Sequence, residues 1–182
     1  MRWEALFADL EAELAAAEAA ELAGEVADRT RSALAQTRLA DRLRAAQGAE
    51  LELVLLGGLR VRGRLAASGP DWSLIAESSG AELLVPHEAL ASVAGAGTLG
   101  ESSASVVDSR LDFASALRGI ARRRAGVRVR LLDGTESAGT IDRVGADALD
   151  LALHPEGEAR RRGAVRQVVI VPLKSLGSVR AD

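Results

Sequence analysis

The 182-residue chain contains no cysteine, which excludes disulfides, thiolate metal sites and cysteine nucleophiles. It has no asparagine, and its only aromatic side chains are Trp3, Phe7, Trp72 and Phe113. A surface that holds nucleic acid by stacking bases on aromatic rings therefore has few rings to use. No segment approaches the roughly 20 apolar residues needed to cross a bilayer. The N-terminus carries no basic stretch followed by an apolar run of signal type, so a cytoplasmic protein is expected. There is no G-x-S-x-G elbow, and the expectation is a protein that is not an enzyme and holds no cofactor or metal. Lysine is nearly absent too: Lys174 stands alone beside 22 arginines, a bias that suits a GC-rich, bacterial genome and dilutes arginine as a functional marker.

The net charge of −3 hides an asymmetry. Residues 1–104 carry 9 basic and 16 acidic side chains, whereas residues 105–182 carry 14 basic and 10 acidic. An anionic partner would therefore meet the second half more readily.

The chain also repeats itself. LELVLLGGLRVRGRLAASGPD (51–71) aligns without a gap on VRVRLLDGTESAGTIDRVGAD (127–147). ELLVPHEALASV (82–93) then aligns on VVIVPLKSLGSV (168–179), after about ten extra residues around HPEGEARRRG. Alternating apolar positions such as Leu51, Leu53 and Leu55 have the period of half-buried strands. Gly57-Gly58 and Asp133-Gly134 are hairpin signals. Gly63 and Gly139 fall in mid-strand, where glycine permits a bend or bulge. Further strands are predicted at 72–78, 81–86, 148–154 and 166–172, with Pro86 and Pro172 ending the fourth of each set and LASV and LGSV forming a fifth.

A helix precedes each set. Phe113, Leu117, Ile120 and Ala121 share a helical face, and Leu39, Leu43 and Ala46 correspond to them in the first copy. Asp108 or Asp112 is the expected N-cap of the second helix, with Gly48 and Gly126 as C-terminal stops. Upstream, Trp3, Leu6, Phe7, Leu10 and Leu14 form an apolar stripe in a long amphipathic pattern. The predicted organisation is an N-terminal helix (1–29), a helix-plus-barrel unit (30–98), a linker (99–106) and a second such unit (107–182). The fold class is thus mainly β with helices (α+β), a tandem pair of small five-stranded barrels.

The glycine turn, the second glycine and the following aspartate of LLDGTESAGTIDRVGADALDL, with Gly134, Gly139 and Asp147 in place, resemble the first conserved segment of the Sm-like family, including its bacterial Hfq type. VIVPLKSLGSV resembles that family's closing segment. The resemblance implies an RNA-associated protein that self-assembles through edge strands. The base-holding asparagine of the eukaryotic members falls on Asp150, and His87 lies one position from the Hfq-type histidine. PRC barrels also end strands in VP-x-x-x-L/V, which implies a protein-interaction scaffold instead.

The residues with the chemistry for single-stranded RNA are Arg122, Arg123 and Arg124 behind the second helix, Arg160, Arg161 and Arg162 in the insertion, and Lys174 in the closing loop. Expected partners are RNA at the second unit, a second copy through edge strands or the N-terminal helix, or another protein; no membrane is expected. A monomer or dimer is favoured over a ring. GAGTLG (95–100) matches a dinucleotide spacing but precedes a serine-rich stretch, and so reads as linker. Asp142, Asp147 and Asp150 read as surface carboxylates, and His87 and His154 as exposed loop-edge side chains.

Overall fold

The computed structural model describes residues 39–97, 111–155 and 165–181, together with selected residues between Glu13 and Arg38. The chain divides into two units, Met1–Arg38 and Leu39–Asp182. In the first, the described residues from Glu13 to Gln36 have helical backbone, and Arg31 pairs with Asp28. The apolar stripe from Trp3 to Leu14 lies outside the described residues.

The second unit is built from strands. Helix α1 (Leu39–Ala45) leads into β1 (Glu50–Leu55), β2 (Arg60–Ser68), β3 (Trp72–Ala76), β4 (Glu82–Pro86) and β5 (Leu90–Ala94). Helix α2 (Phe113–Arg123) then leads into β6 (Gly126–Leu131), β7 (Glu136–Val144), β8 (Ala148–Leu153), β9 (Gln167–Pro172) and β10 (Leu176–Ala181). A single 3-10 turn follows the proline of each fourth strand, at His87–Ala89 and Leu173–Ser175.

All ten strands belong to one antiparallel sheet, in the order β5-β1-β2-β3-β4-β10-β6-β7-β8-β9. This overturns the expected tandem pair of five-stranded barrels behind a long N-terminal helix. The outer edge of β4 is taken by β10, with Val179 opposite Leu84 and Arg180 opposite Leu83. Neither half closes on itself, because among the described residues β5 pairs only with β1 and β9 only with β8. The long helix is likewise not among the described elements, whose α-helices are α1 and α2. Period-2 alternation fixes which face of a strand is buried, but an unpaired edge accepts any strand that satisfies its N–H and C=O groups.

The two halves nonetheless repeat each other in detail. Leu53 opposes Val61 and Val93, as Val129 opposes Ser137 and Val179. The β2·β3 ladder shifts register between Leu65 and Ala67, and the β7·β8 ladder shifts between Ile141 and Arg143. The mid-strand glycines precede these shifts and serve a different need. A Cβ on Gly63 would stand 2.5 Å from the Ala76 carbonyl oxygen, and one on Gly139 would fall on the Ala152 carbonyl oxygen. The partner strand thus crosses where a side chain would begin.

Two apolar cores result. Leu43 and Ala46 of the α1 segment seal Leu51, Leu53, Leu55, Leu65 and Ile75 of the first half. Phe113 and Leu117 of α2 seal Val127, Val129, Ile141 and Leu151 of the second, and this core also takes in Trp72 and Leu84 from the first half. Asp112 caps α2 by accepting from the Ser115 N–H at 2.8 Å, while Asp108 lies outside the described residues. The helix ends at Arg124, whose φ of 51° is left-handed, so Gly126 begins β6 instead of stopping the helix.

Candidate functional site

The junction of β4 with β10 brings chemically distinct side chains together. Asp71, in the turn before β3, accepts a hydrogen bond from the Phe113 N–H at 2.8 Å. The Trp72 indole N–H donates to the Leu111 carbonyl at 2.7 Å. Arg180 on β10 pairs with Glu77 after β3 at 2.7 Å, both partly buried. Start of helix, strand edge and ion pair thus tie the halves together at three points.

A cleft of about 410 Å³ opens beside these ties, lined by Asp71, Glu88, Asp112, Asp147 and Lys174 among others. Four carboxylates surround one ammonium, so the local field repels a phosphate backbone. Burial raises the Asp71 carboxyl above its ordinary 3.8, opposed by the Phe113 N–H. The hydrogen bonds from Ser115 hold Asp112 below the same value. Lys174 is exposed at the mouth. A second, larger groove of about 570 Å³ runs between α2 and the sheet, lined by Trp72, Leu74, Leu84 and Ile120 with Arg123 at its end.

The remaining expected nucleic-acid residues divide into two sets. Arg122, Arg123 and Arg124 are exposed at the C-terminal end of α2, where the helix dipole favours cations. Arg160, Arg161 and Arg162 lie outside the described residues. The structure therefore places one arginine triplet on the surface and puts Lys174 in an acidic cleft. Other arginines are committed to ion pairs: Arg60 and Arg62 with Glu52, Arg130 with Glu136, and Arg44 with Asp41. The Arg62 hydrogen bond and charge pull Glu52 below its ordinary value.

The histidines are not exposed loop-edge residues. His154 is 5% exposed, and its Nε2 lies 2.8 Å from Thr140 Oγ1. His87 is half-buried, with Nε2 3.0 Å from Ser73 Oγ. Burial lowers His87 below 6.5. Each hydroxyl sits 14 residues upstream on a paired strand, a spacing with no recognisable sequence pattern. Ser73 and Thr140 are each 1% exposed, so both hydroxyls are buried.

The sequence does not single out the residues of the sheet edges, yet one edge carries exposed apolar side chains. Val168 and Ile170 on β9 are 51% and 74% exposed, while Val169 and Val171 face inward against the core. No protein-family model matches the chain, and no curated protein matches its sequence. Among the described residues, no helix is long and apolar enough to cross a membrane.

Proposed function

We propose that this protein is a non-catalytic scaffold whose sheet edges accept extended polypeptide strands. The observation that carries the reading is the edge of β9 that has no partner strand among the described residues, with two large apolar side chains on its solvent face. Free edges are templates for strand addition, and soluble proteins ordinarily blunt them with charge, proline or a covering element. The interior placement of Ser73, Thr140 and His154 fits a role without catalysis.

A second reading, an Sm-like protein associated with single-stranded RNA, is favoured by the exposed Arg122–Arg124 triplet together with the resemblance in sequence. The acidic cleft around Lys174 counts against it. Two titrations of the intact chain separate the readings. A peptide copying residues 174–181, the strand that the fold itself lays against β4, should shift the NMR signals of β9 amides, and Ile170→Glu should abolish the shift. A single-stranded RNA should leave those signals unmoved. RNA binding that weakens steeply with salt, and whose salt slope flattens when Arg122, Arg123 and Arg124 become Ala, would instead establish the RNA reading.

A further inference from the structure

The larger groove beside α2 has an apolar body and one charged end. Its floor is a row across three paired strands, Leu74 opposite Leu84 and Leu84 opposite Val179, with Trp72 beside it. Its wall is the face of α2 that carries Ala116, Gly119, Ile120 and Arg123 at helical spacing. The start of α2 is held beside Trp72, because Phe113 donates to Asp71 and the Leu111 carbonyl accepts from the Trp72 indole. Arg123 lies toward the other end, a helical run of roughly 10 Å beyond Ala116. Glu82 shares that end, since it stands opposite Ala181, which in turn stands opposite Val127 just after the helix.

We infer that this groove binds a free monocarboxylic acid with a flexible apolar tail, its carboxylate on Arg123 and its tail running over Leu74, Leu84 and Ile120 toward Trp72. A concave, mostly apolar site of about 570 Å³ with few polar groups has the size and character of a small-molecule site. Charge selects the class of ligand. Among the described residues Arg123 has no ion-pair partner, unlike Arg62, Arg130 and Arg180, and a guanidinium holds a carboxylate through paired hydrogen bonds. Arg122 and Arg124 flank it, so three guanidiniums outweigh the Glu82 carboxylate and the negative end of the helix dipole. Gly119 adds independent support. It stands inside α2, where glycine weakens a helix relative to alanine, and a Cβ built on it meets nothing within 4 Å. The fold therefore does not require glycine there, as it does at Gly63 and Gly139, and its effect is to leave the wall open where the tail would lie. The site is separate from the β9 edge and stands or falls without it.

The test is calorimetric titration of the intact chain with decanoate below its micelle concentration, which should show saturable binding of one molecule per chain. Arg123→Gln should weaken binding by roughly tenfold or more, the loss of a charge-assisted hydrogen bond, and Glu82→Gln should tighten it. Decan-1-ol, which lacks the charge, should bind more weakly and respond to neither substitution. Gly119→Leu fills the groove and should abolish binding with no fall in melting temperature, since leucine suits a helix better than glycine. Orientation is read in a Trp3→Phe background, where Trp72 is the remaining indole. Decanoate with bromine at the end of its tail should quench Trp72 fluorescence, and decanoate with bromine next to the carboxylate should quench it less. Absence of saturable binding, or binding that survives Gly119→Leu and Arg123→Gln, would overturn the inference. Equal quenching by the two brominated acids would overturn it as well.

Discussion

Leu84 and Ile170 hold the same place in the two repeats, and each pairs with the same kind of neighbouring strand, Leu84 with Leu74 and Ile170 with Asp150. One is buried in the core of the opposite half and the other is the most exposed large apolar side chain described in the sheet. The difference comes from a single event, the arrival of β10 and α2 on one edge and of nothing described on the other. A hydrophobic side chain at a fixed position in a repeat has no fixed environment until its edge is assigned a partner.

Truncating these two residues should therefore have unequal effects. Leu84→Ala removes a side chain from a packed core and is expected to cost about 2–5 kcal/mol. Ile170→Ala should change the stability of the isolated chain by no more than about 0.5 kcal/mol, as at an ordinary surface position. Urea denaturation at low protein concentration measures both, and equal losses would show that Ile170 is covered within the chain.

The mid-strand glycines are required by the backbone opposite them. Gly139→Ala forces its methyl group onto the Ala152 carbonyl, and Gly63→Ala meets Ala76 in the same way. Separating these strands is an overpacking cost of about 1–3 kcal/mol. Thermal melts of the single variants should show a clear drop for both, while Gly24→Ala, which has open space around it, should show none.

Asp71 joins the halves through its bond to the Phe113 N–H. Asp71→Ala leaves that donor without its acceptor and should cost about 1–3 kcal/mol, whereas Asp71→Asn keeps an oxygen in place and should cost less. Burial works against the charge, although the Phe113 N–H favours it: the folded carboxyl is raised above 3.8, so ionising it as pH rises through the folded value opposes folding. The deficit of Asp71→Asn relative to the parent should accordingly shrink as the pH rises from 4 toward 7, read from urea midpoints.

His87 gives stability the opposite dependence at higher pH. Its folded value lies below 6.5, so above pH 6.5 the ring is neutral whether the chain is folded or not. Below that, the unfolded chain takes up a proton that the buried ring resists, and stability falls until the folded value is passed. His87→Gln retains a partner for Ser73 but cannot titrate. Its urea midpoint should fall less than that of the parent chain between pH 7.5 and 5.5; parallel curves would place the acid sensitivity elsewhere.

The strands, the helices α1 and α2 and the turns that join them follow from the sequence alone, because their determinants are local. Alternation at Leu51–Leu55 and Val127–Leu131, the glycines at 57, 58 and 134, the stops at Pro86 and Pro172 and the Asp112 cap all act within a few residues. The repeat extends this to register, since equal spacings of apolar residues and glycines give equal ladders. The tertiary structure decided everything that depends on which surfaces meet. That β4 takes β10 instead of closing a barrel depends on a choice between edges whose N–H and C=O groups are chemically identical, and no side-chain pattern marks the partner. The burial of His154 beside Thr140 and the acidic surroundings of Lys174 have the same origin: residues distant in sequence acquire their field and their solvent only once the sheet has brought them together.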